Sequence, residues 1–128
     1  MRLLLDTHVL LWWLDGDENL SLTACAAIGN PRNVNFVSAA TAWEISTKAR
    51  IGKLPGALDV ARDVAGAVAS QGFQKLDITI EDANLAGSLP GHHRDPFDRM
   101  LVAQSVRRML TIVSADGQLD AYGVRRIW

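Results

Sequence analysis

Apolar residues fall in short blocks divided by turn signals, and the blocks read alternately as strands and helices. Leu3-Leu4-Leu5 is unbroken, as expected of a strand covered on both faces. A helix is predicted over 9–14, closed by the polar turn Asp15-Gly16-Asp17-Glu18-Asn19. Ser21 suits the N-cap of a second helix through Ile28, which Gly29-Asn30-Pro31 ends. A second strand is predicted over 34–38, leading into a helix from about Ala40 to Arg50. After Gly52 and Pro55-Gly56, one helix is expected over 58–70, stopped at Gly72, then a short strand over 76–78. Thr79 suits the cap of a helix through Leu89. Asp95-Pro96 opens the next helix, with Asp95 as N-cap and Pro96 in the first turn, reaching about Met109. Residues 110–114 read as a strand and 124–128 as a short terminal one. Strands alternating with helices predict an α/β domain with a mainly parallel central sheet.

Composition narrows the functional classes. A chain of 128 residues, 48% of them hydrophobic, suits a single domain, 1–128, with a real core. Thirteen basic residues against fourteen acidic ones give no global positive field, so a nucleic-acid contact must use a local patch. The lone Cys25 excludes an internal disulfide framework and a cysteine-built zinc site; its small apolar neighbours predict a buried thiol. The apolar stretch 3–14 is interrupted by Asp6, Thr7 and His8, too short and too polar for a membrane span. A soluble, cytoplasmic protein is expected.

Most acids, Asp82 among them, fall in polar turns or on faces expected to be solvated. Asp6 does not: it stands between three leucines and Val9-Leu10-Leu11-Trp12-Trp13, where a carboxylate is costly unless capped, paired or bound to a cation. Glu44 is flanked by Trp43 and Ile45, with Lys48 at the i,i+4 spacing of a helical ion pair. Asp95 and Asp98 open one helix beside His92, His93, Arg94 and Arg99, and capping alone accounts well for Asp95. Asp116 follows a strand and a single alanine. In a parallel α/β sheet ligands bind beyond the carboxyl ends of the strands, where Asp6, Glu44, Asp98 and Asp116 are all expected. Four carboxylates brought together call for a cation, and oxygen donors favour Mg²⁺ or Mn²⁺. Such a site activates water and stabilises charge on a phosphodiester.

Leu3-Leu4-Leu5-Asp6-Thr7-His8, Val37-Ser38-Ala39-Ala40-Thr41-Ala42-Trp43-Glu44-Ile45, the run from His92 to Gln104, and Val113-Ser114-Ala115-Asp116 together resemble the successive motifs of PIN domains. Within that family they are most similar to VapC-type toxin ribonucleases of bacterial toxin–antitoxin pairs. The resemblance implies a parallel sheet of four to five strands between helices and a Mg²⁺- or Mn²⁺-dependent endoribonuclease. It assigns metal binding and catalysis to Asp6, Glu44, Asp98 and Asp116. Asp98 is preferred to Asp95 as third ligand because Asp95 already serves as N-cap. Thr7 and Ser38 would then orient carboxylates or a metal-bound water. The resemblance also implies an RNA substrate, a cognate antitoxin, a homodimer and a larger toxin–antitoxin assembly.

The three histidines suit a surface or packing role better than ligation of Mg²⁺. Arg94 and Arg99 flank the expected site and suit phosphate positioning; Arg107 and Arg108 are weaker candidates for it. Trp12-Trp13, with nearby leucines, give one short helix a surplus of apolar surface of the kind that marks an interface. A phosphotransferase with an aspartyl nucleophile would need a second acid two positions after Asp6, where His8 stands.

Overall fold

The structure is a computed structural model and describes residues 1–54, 57–91 and 95–128. The strands are β1 (Arg2–Leu5), β2 (Val34–Ser38), β3 (Gln74–Leu76), β4 (Thr111–Val113) and β5 (Arg126–Ile127). The helices are α1 (Thr7–Asp15), α2 (Leu22–Gly29), α3 (Ala39–Arg50), α4 (Ala57–Ala61), α5 (Val64–Ser70), α6 (Ile80–Ser88) and α7 (Pro96–Arg108). A 3₁₀ helix, Gly117–Tyr122, follows β4. In the described residues the strands form one sheet in the order β3-β2-β1-β4-β5, with every pairing parallel.

The triple leucine shows why an unbroken apolar run is needed at the sheet centre. Side chains alternate across a strand, so both faces of a covered sheet must be apolar. Leu3 and Leu5 pack on one side with Val9, Leu10, Ala24, Ile28 and Ile45. Leu4 points the other way, into a cluster with Leu101, Val102, Ile112 and Leu119. Helices α1, α2 and α3 thus cover one face, and α7 with the 3₁₀ helix the other.

Several elements differ from the sequence expectation. The single helix expected over 58–70 is two, α4 and α5, broken where Asp63 adopts φ −157°, ψ 74°. Asp63 Oδ1 accepts a 2.9 Å bond from the Gly66 amide, which caps α5; an Asp inside a helix competes for such backbone donors. A Cβ on Gly66 would lie 2.1 Å from Asp63 Oδ2, so a side chain there would push the capping carboxylate from its present position. The strand expected over 76–78 is Gln74–Leu76, because the Asp77 carbonyl accepts from Gln104 Nε2 of α7, 3.2 Å away, rather than from a strand. Cys25 is exposed: α2 turns Ala24 and Ile28 inward. Trp12 and Trp13 are half-buried within the chain, Trp12 against Trp128 and Trp13 against Phe73. The exposed indole is Trp43, at 61%.

Asp82 is the largest departure. It is fully buried, not solvated, and sits between α6 and α7. Its carboxylate accepts from Arg107 at 2.7 Å and from both Arg108 terminal nitrogens at 2.7 and 2.8 Å. Those two guanidiniums, expected as weaker phosphate contacts, are engaged in joining the two helices. At the opposite end Arg99 donates to the carbonyls of Ala86 and Leu89, so α6 and α7 run antiparallel. No helix among the described residues is long and apolar enough to cross a membrane.

Candidate active site

β1 and β4 lie side by side with Leu5 opposite Val113, so Asp6 and Ser114 leave the sheet together. The Asp6 amide still donates to the Val113 carbonyl at 3.1 Å. The strand order also reverses here: β2 and β3 step away from β1 on one side, β4 and β5 on the other. Crevices open at such a switch point, beyond the carboxyl ends of the strands.

Asp6 turns the chain from β1 into α1. Its Oδ1 accepts from the amides of His8, at 2.8 Å, and Val9, at 3.4 Å, which caps the helix. Oδ2 accepts a 2.6 Å bond from Ser114 Oγ. The buried Ser114 hydroxyl also accepts from the Asp116 amide at 3.0 Å, so one oxygen ties the two acidic turns together. Burial pushes the Asp6 carboxyl above the usual aspartate range, against the opposing pull of the Ser114 bond, the His8 charge and the two capping amides. Asp116 caps the 3₁₀ helix, its Oδ1 accepting from the Gln118 amide at 2.9 Å. Asp6 and Asp116 line one cleft with His8, Trp12 and Ala115.

Glu44 forms the centre of a second group. It is 3% exposed on α3. Thr7 donates to its Oε1 at 2.6 Å, which links this group to the turn that carries Asp6. Lys48, the helical partner one turn on, donates to Oε2 at 2.5 Å. Burial alone would lower the Lys48 ammonium, but Glu44 first, then the charges of Asp95 and Asp98, hold it above its ordinary value. Three acids from two helices therefore act on one cation. Asp95 caps α7 as expected, its Oδ1 accepting from the Phe97 amide at 2.8 Å and the Asp98 amide at 3.3 Å. Asp98 is half-buried in the first turn.

Hydrogen bonds join the turns of Asp6 and Asp116 through Ser114, and the Asp6 turn to Glu44 through Thr7, while Asp95 and Asp98 act with Glu44 on Lys48. Among the described residues, no three His, Cys, Asp or Glu side chains gather closely enough to cage a metal. The donors are nonetheless carboxylate and hydroxyl oxygens, and the buried Asp6 carboxylate sits where charge is costly, which suits a hard divalent cation.

Ser38 is buried and caps α3, its Oγ accepting from the Ala40 amide at 3.0 Å. The Arg99 guanidinium lies on the carbonyls that end α6. Arg94, His92 and His93 lie outside the described residues. Trp43 meets Phe97 edge-on at 4.8 Å, and each ring precedes a site acid in sequence. Sequence reasoning assigned no role to Ser114. Its signal is positional, since it stands opposite Asp6 only once the β1–β4 register is known.

The family model of the PIN domain matches residues 3–124. No curated protein matches the sequence. Similar solved structures include VapBC2 from Rickettsia felis bound to a DNA fragment from their promoter. There the identity is 11%, coverage 99% of this chain and 98% of that one, and the TM-score 0.67. VapC20 of Mycobacterium tuberculosis, a sarcin–ricin loop cleaving toxin, is 15% identical over 95% of each chain, with a TM-score of 0.66. FitAcB from Neisseria gonorrhoeae is 15% identical over 98% of this chain and 96% of that one, with a TM-score of 0.61. Identities this low speak for a shared fold. The sequence match itself begins in β1, passes all four acids and ends beyond the 3₁₀ helix, and by it the chain belongs to the PIN-domain family.

Proposed function

We propose that this chain is a metal-dependent endoribonuclease that acts as the toxin of a toxin–antitoxin pair. The observation that carries this reading is the hydrogen-bonded pair of acidic turns, Asp6 and Asp116 on Ser114, at the switch point of a PIN sheet. Asp6, Glu44, Asp98 and Asp116 are the residues that would hold Mg²⁺ or Mn²⁺. When bound, the metal supplies an activated water and offsets charge on the phosphodiester. The chain's own part is pre-arrangement. Ser114 fixes Asp6 Oδ2, Thr7 fixes Glu44 Oε1, and Ser38 and Asp95 fix the starts of α3 and α7. Arg94 and Arg99 are the proposed contacts to RNA phosphate; of the two the structure describes Arg99, whose guanidinium is held by the α6 carbonyls.

The similarity to VapC-type motifs and to VapBC2 and VapC20 supports an RNA substrate and an antitoxin partner. A homodimer within a larger assembly, in the cytoplasm, completes the reading. The exposed Trp43, and not the Trp12-Trp13 pair, offers the surplus apolar surface for such contacts.

The test is incubation with a pool of cellular RNAs and Mg²⁺ or Mn²⁺, followed by mapping of cut ends. Cutting at defined positions, abolished by EDTA, is expected; intact RNA with both metals and a folded protein sinks the nuclease reading. Expression of the chain alone should halt growth, and the product of the neighbouring gene should co-purify with it. Growth untouched by active protein removes the toxin reading and leaves the nuclease.

The choice of third ligand has its own measurement. Asp98→Asn should lose on the order of a hundredfold more activity than Asp95→Asn, since asparagine caps a helix about as well as aspartate. Equal losses in two folded variants would reverse the assignment.

A further inference from the structure

We infer that Lys48 is the site's resident counter-cation, which a divalent metal must displace from Glu44 as it binds. The inference rests on the proposal that Glu44 is a metal ligand, and deepens it. An i,i+4 ion pair on a solvated helix is worth only a few tenths of a kcal/mol and needs no functional account. This pair differs in three respects. Glu44 is 3% exposed, so its charge has little water to stabilise it. Its Oε1 is taken by the Thr7 hydroxyl, which donates a hydrogen bond but no charge, leaving Lys48 on Oε2 as the neutralising partner. The charges of Asp95 and Asp98, from a different helix, converge on the same ammonium. Lys48 therefore stands in a field of three carboxylates, two of which, Glu44 and Asp98, are proposed metal ligands.

A divalent metal held by the Glu44 carboxylate and the ammonium hydrogen-bonded to that carboxylate would repel each other at short range. The lysine has somewhere to go: its side chain is 26% exposed on a flexible four-carbon stem, so the ammonium reaches solvent without moving α3. Metal binding then becomes an exchange of cations. The metal-free protein keeps the buried Glu44 carboxylate neutralised, and metal affinity is lowered by an internal competitor.

The test compares Lys48→Met, which keeps the stem and removes the charge, with Lys48→Arg, which keeps the charge. Free Mn²⁺ is followed by electron paramagnetic resonance, and melting is recorded with and without Mn²⁺. Lys48→Met should bind Mn²⁺ about tenfold more tightly than the parent, the scale of one partly exposed ion pair. It should also melt lower than the parent without metal and gain more on saturation. Lys48→Arg should stay within about twofold of the parent affinity, because the charge is the competitor. In a Glu44→Gln background, Lys48→Met should no longer tighten binding. Equal or weaker Mn²⁺ affinity in a folded Lys48→Met protein, or equal tightening by arginine, overturns the inference while the metal site stands. Absence of Mn²⁺ binding by parent and variants alike overturns the metal site and the inference with it.

Discussion

Asp6→Asn is expected to cut RNA about a thousandfold more slowly than the parent while folding as well or better. In the proposed site Asp6 is a metal ligand, a role that would contribute several kcal/mol of charge stabilisation, and about 4 kcal/mol is three orders of magnitude in rate. The fold should survive because asparagine is as good an N-cap as aspartate and keeps an oxygen for the His8 and Val9 amides. Burial holds the Asp6 carboxyl above its ordinary value in the folded chain. A raised acid contributes stability below its unfolded value, and that contribution is lost as pH rises through the folded one. Above the unfolded value the metal-free parent therefore bears a cost of burying this ionisable group that the variant lacks. Thermal melts without metal should place Asp6→Asn at or above the parent, and added Mn²⁺ should narrow or reverse the difference. A variant that melts well below the parent would make Asp6 a structural residue; one that cleaves normally would remove it from the site.

The features legible in the sequence are those decided by neighbours along the chain. Ser21, Thr79 and Asp95 cap the helices they precede, because an N-cap is satisfied by amides two or three residues on. Leu3-Leu4-Leu5 identifies the central strand, because only a strand covered on both faces needs every position apolar. Glu44 and Lys48 meet because a helix brings i and i+4 together. Asp63 marks the limit of such reading, since its own carboxylate, competing for a backbone donor, splits a pattern that hydrophobic spacing reads as one helix.

What the sequence concealed depends on register and on packing between distant elements. Ser114 and Asp6 are 108 positions apart, and only the alignment of Leu5 with Val113 makes them neighbours. Cys25 and Ala24 are adjacent small residues; which of them α2 buries is decided by the sheet it packs on, not by their chemistry. Asp82 looked like a first-turn residue of a capped helix, and it is one, with Thr79 completing a capping box. Nothing local revealed that the end of α7 would close over it.

That closure makes Asp82 the residue whose loss should unfold the chain most readily. Asp82→Asn removes a fully buried carboxylate from between Arg107 and Arg108, leaving two like charges side by side where α6 and α7 meet. Breaking a buried pair costs about 3–5 kcal/mol; the lower end applies here because the Arg107 and Arg108 side chains are 35% and 21% exposed and regain some water. A loss of about 3 kcal/mol lowers the melting temperature of a domain this size by roughly 10 °C. Burial alone would raise the Asp82 carboxyl, but the bonds from Arg108, the Thr79 amide, Arg107 and Gln104 outweigh it and hold the group well below the usual aspartate range. A depressed acid contributes stability above its unfolded value, near 4 for aspartate, and loses it as pH falls toward the folded one. The gap between parent and variant should therefore be constant from about pH 5 upward and close only in stronger acid. Urea unfolding of both proteins at a series of pH values checks this. A gap that instead grows in acid, or one below about 1 kcal/mol at neutral pH, would mean that the helix pair is held by its apolar contacts and that the two arginines are adequately served by water.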